Sequence, residues 1–123
     1  MKKTLLPELQ EPEARAAVAE ALMGLFERWQ LHEVNQAQLL GLTSVLDLKR
    51  KIIDANTETM ERAGHLLAID RALRQRFMAQ PERRDRWIFT ANDFLTGLTP
   101  ISIMLEDGLK GIMSIRGMAE SQH

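Results

Sequence analysis

Histidine and carboxylate side chains are the groups in this chain that could carry acid–base or metal chemistry, but their spacing supports neither. His32, His65 and His123 are far apart, and His65 lies in a helical run, where a histidine is usually a packed or half-exposed residue. Glu106 and Asp107 are adjacent, so on a helix their side chains point about 100° apart and do not converge. No HExxH, GxxxxGKS/T or strand followed by GxGxxG occurs. The sequence therefore predicts a binding protein rather than an enzyme, with no catalytic residue, metal or cofactor.

The composition predicts a folded cytoplasmic protein. Of 123 residues, 45% are hydrophobic, 27% are charged and none is cysteine. No apolar run approaches the roughly 18–20 residues of a transmembrane helix, and the start MKKTLLPELQEPE lacks the apolar core of a signal peptide. The net charge of −1 disfavours a large nonspecific nucleic-acid binder, although six arginines crowd residues 71–86. We expect no membrane association, and one compact unit or two small subdomains with a common core.

Apolar residues at spacings of three and four predict an all-α fold. The predicted helices cover residues 12–30, 34–40, 43 or 44 to 54, 56 or 57 to 80, 82–87, and 100 onward after a Thr99 cap with a break near Gly108. The expected inner faces of the first and the long helix comprise Val18, Leu22, Leu25, Phe26, Trp29, Met60, Leu66, Leu67, Ile69, Leu73, Phe77 and Met78. The apolar residues of the last helix are Ile101, Met104, Leu105, Leu109, Ile112, Met113 and Ile115.

The stretch EVNQAQLLGLTSVLDLKRKI, residues 33–52, has the layout of a helix-turn-helix. Ala37 is small enough for a second helix to cross closely, and Gly41 suits the tight turn. The second helix is expected to bury Val45, Leu48 and Ile52 and, in a DNA-binding version, to enter the major groove. The predicted DNA-facing residues are Thr43, Ser44, Asp47, Arg50 and Lys51. The Asp47 carboxylate opposes phosphate binding, and the same spacing also describes an ordinary helical corner.

The segment NDFLTGLTPISIM, residues 92–104, combines loop-forming residues with apolar ones. Asn92 is expected to cap the loop and Gly97 to adopt a positive φ. Phe94 and its apolar neighbours Leu95 and Leu98 either fill the core of a small domain or form a patch for a partner. Trp87 is expected in the core.

Residues from Arg86-Trp87 onward follow a recognisable order: Asn92, Phe94, Gly97, Thr99-Pro100, Met104 and Gly108, then apolar Leu109 and Ile112. This order resembles the toxin-binding domain of the Xre/MbcA/ParS antitoxins, whose C-terminal pattern is, loosely, W…N…F.G..P…M..G. The preceding LLGLTS and ERAGHLLAIDRALRQRF are similar to that family's helix-turn-helix and linking helix. The resemblance covers about residues 13–118.

The resemblance implies an antitoxin of a type II toxin–antitoxin pair, which forms a homodimer, represses its own operon and neutralises an NAD-consuming RES-domain toxin. It implies an N-terminal extension at 1–12, a helix-turn-helix region with a long linking helix at 13–80, and a toxin-binding domain with its tail at 81–123. Ser44, Arg50 and Lys51 would face operator DNA. The toxin would be contacted by Asn92, Phe94, Leu95, Gly97, Leu98 and Arg116, and the tail at residues 117–123 would be a candidate, with Arg116, to reach the toxin's pocket.

Two other functions fit the same residues. One is a stand-alone helix-turn-helix transcriptional regulator without a toxin. The other is an adaptor that binds protein only, which Asp47 and the acidic N-terminal segment favour.

Overall fold

The computed structural model describes residues 11–50 and 57–121, and within these ranges every regular element is a helix, which confirms the all-α prediction. The α-helices are α1 Pro12–Arg28, α2 Glu33–Leu40, α3 Leu46–Lys49, α4 Thr57–Arg76, α5 Pro81–Arg86 and α6 Pro100–Glu120, with 3₁₀ turns at Trp87–Phe89 and Asp93–Leu95.

The chain divides into two compact units, Met1–Gly64 and His65–His123. The division falls inside α4, so this helix contributes residues to both units. The domain boundary predicted between residues 80 and 81 lies within the second unit. Of the predicted N-terminal extension, residues 1–10 are outside the described ranges.

Helix α1 supplies the core of the first unit. Four of the five residues expected on its inner face are buried and Val18 is half-buried. The helix ends at Arg28 rather than at Gln30, because Gln30 takes a left-handed φ of 53° and the Leu31 N–H donates to the Phe26 carbonyl at 3.0 Å. Residues of the first-unit core with no exposed surface are Leu22, Leu25, Leu39, Leu40, Leu48, Ala19 and Ala63.

The turn after α2 forms as predicted. Gly41 adopts φ 70° and ψ 26°, and the Leu42 N–H donates to the Ala37 carbonyl at 2.9 Å. Ala37 is buried, as the predicted close crossing requires. A residue without a side chain at position 41 therefore lets α2 end in the left-handed conformation at little cost.

Helix α3 covers only part of the helix predicted to reach residue 54, and positions 51–54 of that prediction lie outside the described residues. It ends at Lys49, although the predicted core positions Val45 and Leu48 are buried. Lys51 and Ile52 lie outside the described residues.

Helix α4 also ends earlier than predicted. Its last residue is Arg76 rather than a residue near 80, because Pro81 disfavours helical backbone at Gln80, which adopts φ −138° and ψ 68°. Met78, which was expected on the inner side of the helix, therefore lies beyond the helix end and is 85% exposed. Met113, one of the apolar residues of α6, is 48% exposed. Phe77 is half-buried, with the guanidinium groups of Arg76 and Arg83 over its ring at 5.7 and 5.2 Å.

Helix α6 begins and bends where the sequence predicts. The Thr99 hydroxyl accepts the Ser102 N–H at 3.3 Å, and Gly108 interrupts the helix with φ 64° and ψ −140°. The 3₁₀ turn Trp87–Phe89 contacts α6. In that turn Ile88 is fully buried, whereas Trp87, expected in the core, is only half-buried. Buried second-unit residues with 0 to 1% exposure are Leu66, Ile69, Leu73, Ile88, Met104, Ile112 and Ile115.

Within the described residues, no single helix has both the length and the apolarity to cross a membrane. Both criteria are met only by a pair of segments taken together, Pro81–Leu95 and Pro100–Glu120, which are bent by 81° at their junction.

Candidate functional site

The loop that precedes α6 is fixed by hydrogen bonds from Asn92. Its side-chain oxygen accepts the Phe94 N–H at 2.9 Å, which confirms the predicted cap. Its backbone carbonyl accepts the N–H groups of Leu95 and Gly97 at 3.0 Å each, and its own N–H donates to the Leu98 carbonyl at 3.0 Å. The chain is thus closed on itself between residues 92 and 98.

Two residues of this loop use left-handed backbone. Gly97 has φ 85°, as predicted, and Thr96 has φ 54° and ψ 39°. A β-branched residue rarely adopts this conformation, which costs on the order of 1–3 kcal/mol. Such strain is retained at positions where the surrounding contacts fix the backbone, and it is frequent at binding sites.

The loop turns its largest side chain toward solvent. Phe94 is 84% exposed and Leu98 is 48% exposed, while Leu95 is half-buried. Of the two roles considered for Phe94, a place in the core is therefore wrong. A phenylalanine on a hydrogen-bonded surface loop offers an apolar contact for which the backbone is already ordered.

A groove of about 640 Å³ lies beside Phe94. It is lined by Arg76, Ala91, Asn92, Asp93, Phe94, Gly117, Met118 and Ser121. The predicted toxin-binding residues Asn92 and Phe94 thus come together with the C-terminal turn of α6. Gly117, Met118 and Ser121 belong to the tail at residues 117–123, which was expected to reach the toxin. Arg76 was missed as a site residue, because its proximity depends on how α4 and α6 meet within the second unit. The concentration of arginines in residues 71–86 was the available signal for Arg76.

Arg116, also predicted to bind the toxin, lies outside this lining. Its Nε is 3.3 Å from both carboxylate oxygens of Glu120, and its Nη1 is 3.0 Å from Nδ1 of His65. These contacts hold the half-buried guanidinium between α4 and α6. Its geometry fits a residue that positions the C-terminal turn of α6.

The segment predicted to bind DNA is exposed wherever the structure describes it. Thr43, Ser44 and Arg50 have exposed side chains, and the Ser44 hydroxyl accepts the Leu46 N–H at 3.0 Å at the start of α3. The Asp47 backbone belongs to α3, but its side chain, like the whole of Lys51, is outside what the structure describes. The hydroxyls of Thr43 and Ser44 and the guanidinium group of Arg50 thus lie within a segment of eight residues.

Lys49 forms an ion pair with Glu33 that joins the end of α3 to the first turn of α2. The hydrogen bond from the Lys49 ammonium group, together with its charge, lowers the pKa of the Glu33 carboxyl below its ordinary value. Both side chains are 55% exposed, so solvent screens the pair. The ion pair directs one cation of the 49–51 cluster toward protein rather than toward a ligand.

A contact that the sequence did not indicate holds the turn between α2 and α3. Arg62 donates through Nη1 to the Leu39 carbonyl at 3.4 Å and through Nη2 to Glu58 at 3.0 Å. A Cβ at Gly41 would lie 3.3 Å from this guanidinium. Arg62 thereby satisfies a carbonyl at the end of α2, and Gly41 leaves it room.

In residues 11–50 and 57–121, no three histidine, aspartate or glutamate side chains converge as a metal site would require.

No protein-family model matches the sequence. The uncharacterized protein y4oB of Sinorhizobium fredii is 32% identical over 109 residues, which span 86% of this chain and 84% of that protein. The chain belongs to the y4oB family. Because the similarity extends over most of both chains, membership in the y4oB family concerns both units and not one helical motif alone.

Proposed function

We propose that the chain is an antitoxin that neutralises a RES-domain, NAD-consuming toxin by direct binding and represses its own operon as a cytoplasmic homodimer. It acts by binding and has no catalytic activity of its own. The proposal rests on the resemblance of residues 86–112 to the Xre/MbcA/ParS toxin-binding pattern.

The exposure of Phe94 is the structural observation that carries the proposal. Aromatic residues contribute disproportionately to protein interfaces, and a hot-spot side chain typically contributes about 2 kcal/mol or more. Here the aromatic ring is 84% exposed in a loop that four hydrogen bonds to Asn92 keep in place. A surface phenylalanine with this support is better explained by a protein partner than by folding.

The proposed repression depends on the corner between α2 and α3. Exposed Thr43, Ser44 and Arg50 supply hydroxyl and guanidinium groups of the kinds that contact phosphates. Dimerisation would multiply the weak contacts of one such segment, since two half-sites are then bound together.

Co-expression with the product of the adjacent reading frame tests toxin neutralisation. We expect the tagged full-length chain to retain that protein at a fixed stoichiometry and to restore growth to cells that express it. Phe94→Ser should reduce capture and rescue, whereas Met78→Ser, which alters another surface residue of 85% exposure, should leave both unchanged. Absence of a toxic neighbour, together with no capture by the wild-type chain, would remove the basis of the proposal.

A titration with DNA of the chain's own promoter tests repression. Arg50→Ala combined with Lys51→Ala should weaken binding across sequences and reduce the slope of log affinity against log salt concentration by about 2, one for each phosphate contact. Toxin capture should be unaffected. An unchanged salt slope would show that these cations do not contact DNA.

A stand-alone transcriptional regulator is the second candidate, favoured by the exposure of Thr43, Ser44 and Arg50 in one short segment. It predicts specific promoter binding without capture of any neighbouring gene product. An adaptor that binds protein only would give the opposite pair of results.

A further inference from the structure

The groove beside Phe94 continues along α4. A second groove, of about 540 Å³, is lined by Ala68, Arg71, Ala72, Gln75, Arg76, Ala119, Glu120 and Ser121. Arg76 and Ser121 line both grooves, so the two form one surface within the second unit, which we call the α4–α6 groove. The α4 residues that line the groove are spaced by three and four positions, which places them on one face of the helix.

The α4–α6 groove has an apolar end and a cationic end. Phe94, Ala91 and Met118 line the first, and Arg71 and Gln75 line the second, with Arg76 common to both. Small residues on both helices, Ala68, Ala72, Gly117 and Ala119, also line the groove. Arg71 and Arg76 are five residues apart, about 7.5 Å along the helix axis.

Two carboxylates also line the groove, and they decide which partner it suits. Glu120 is bound by Arg116, with both carboxylate oxygens 3.3 Å from the guanidinium Nε, while Asp93 lies in the loop beside Phe94. Glu120 lies at the Arg71 end, where Arg116 offsets its charge, whereas a continuous row of phosphates would be repelled at Asp93. A protein segment can instead place an apolar side chain at the Asp93 end and its carboxylates at the Arg71 end.

We propose that the α4–α6 groove binds a partner segment that presents an apolar side chain to Phe94 and Met118 and a carboxylate to Arg71 and Arg76. The inference rests on the proposed function in naming the toxin as the protein that supplies the segment, and it adds the chemistry of that segment. Arginine pairs with a carboxylate in a bidentate geometry, so the charged end fixes the orientation while the apolar end supplies affinity.

Fluorescence anisotropy of the full-length chain with two labelled peptides tests the proposal directly. The probes are SEELFEELS and its counterpart SKKLFKKLS, which have the same apolar residues and opposite charge. We expect the wild-type chain to bind the acidic peptide at least tenfold more tightly. Arg71→Glu combined with Arg76→Glu, and separately Phe94→Ser, should each weaken that binding at least tenfold.

The matched control reverses two arginines on α5, which does not line the groove. Arg83→Glu combined with Arg86→Glu makes the same change in net charge and should alter acidic-peptide binding less than twofold. If circular dichroism shows that the glutamate variant is unfolded, Arg71→Gln combined with Arg76→Gln repeats the test without charge reversal. Equal affinity for the two peptides, or equal losses in the groove and control variants, would overturn the proposal.

A labelled 20-base-pair duplex serves as the competing probe. If the duplex, and not the acidic peptide, loses affinity in the Arg71 and Arg76 variant, the groove binds nucleic acid and the proposal is wrong. Failure of the groove assignment can be distinguished from failure of the proposed antitoxin function. Toxin capture that survives the Arg71 and Arg76 substitutions refutes the groove assignment alone, whereas failure of wild-type capture beside selective peptide binding refutes the antitoxin assignment alone.

Discussion

Phe94 is exposed because the loop around it is ordered. Asn92 pairs with the N–H groups of Phe94, Leu95 and Gly97 and with the carbonyl of Leu98, and Leu95 rather than Phe94 turns toward the protein. The different directions of Phe94 and Leu95 follow from the short 3₁₀ turn Asp93–Leu95, in which successive side chains point about 120° apart. A side chain in this position is available for binding without further ordering of the backbone.

Replacement of Phe94 should separate binding from stability. Phe94→Ser removes little buried area, so we expect its free energy of unfolding to stay within about 0.5 kcal/mol of the wild-type value. Partner affinity should fall at least tenfold, which corresponds to about 1.4 kcal/mol or more. Urea denaturation and calorimetric titration with the captured toxin provide the two measurements. A loss of stability exceeding the loss of affinity would place Phe94 in the fold rather than in the interface.

The Glu33–Lys49 ion pair makes a prediction about pH. The Lys49 hydrogen bond lowers the pKa of Glu33 in the folded state, so the pair stabilises the fold above the ordinary carboxyl pKa and loses its effect as pH falls through the lowered value. Lys49→Met should raise the pKa of Glu33 toward its ordinary range, as followed by NMR titration of its side-chain carboxyl. Lys110→Met removes a cation elsewhere and should leave the Glu33 titration unchanged. Equal titration curves in wild type and Lys49→Met would exclude the pair.

At the scale of elements, the bend in α6 depends on two glycines with different tasks. Gly108 supplies the backbone conformation, φ 64° and ψ −140°, which side-chain-bearing residues avoid. Gly111 supplies space, because a Cβ at this position would lie 2.4 Å from the Ile103 carbonyl oxygen. The turn before the bend thus folds closely against the turn after it.

Substitution at Gly111 should therefore be costly despite the helical conformation there. We expect Gly111→Ala to lower the free energy of unfolding by about 1–3 kcal/mol through overpacking. Gly117→Ala, in the same helix with no atom within 4 Å of the added Cβ, should instead raise it by about 0.5–1 kcal/mol. Thermal and urea denaturation give both values. If Gly111→Ala raised the free energy of unfolding as Gly117→Ala is expected to do, the close contact with Ile103 would be absent in solution.

Elements with local signals were predictable from the sequence. Thr99 before Pro100, Gly41 after α2 and Gly108 in α6 each act through their own backbone preferences, and the structure confirms all three. The buried stripe of α1 follows from spacing alone. These features need no knowledge of what the rest of the chain does.

Features that depend on distant residues were not predictable. The exposure of Met78 and Met113 follows from where α4 ends and from which face of α6 is covered, not from their own apolarity. Arg62 reaches Leu39 across 23 positions of sequence. The same limit applies to the candidate site: the loop residues were recognisable, but the grouping of Phe94 with Arg76 and Met118 requires the folded second unit.

At the scale of the whole molecule, α4 is the element that both compact units have in common. The division after Gly64 falls at an exposed glycine in the middle of the helix, where a side chain would meet no atom within 4 Å. Each unit also contains one tryptophan, Trp29 in the first and Trp87 in the second, so the unfolding of each can be followed separately by fluorescence.

Glycine replacement tests whether the shared helix couples the two units. Gly64→Ala should stabilise α4 by about 0.5–1 kcal/mol, since glycine is unfavourable in a helix interior. Because α4 contributes residues to both units, we expect this substitution to move the urea transitions of Trp29 and Trp87 together, measured in Trp87→Phe and Trp29→Phe backgrounds respectively. Gly24→Ala, an equally unobstructed position in α1, should stabilise by a similar amount but move the Trp29 transition more than that of Trp87. If Gly64→Ala moved one transition only, the units would unfold independently, and the continuity of α4 would not transmit stability from the corner at Gly41 to the loop at Phe94.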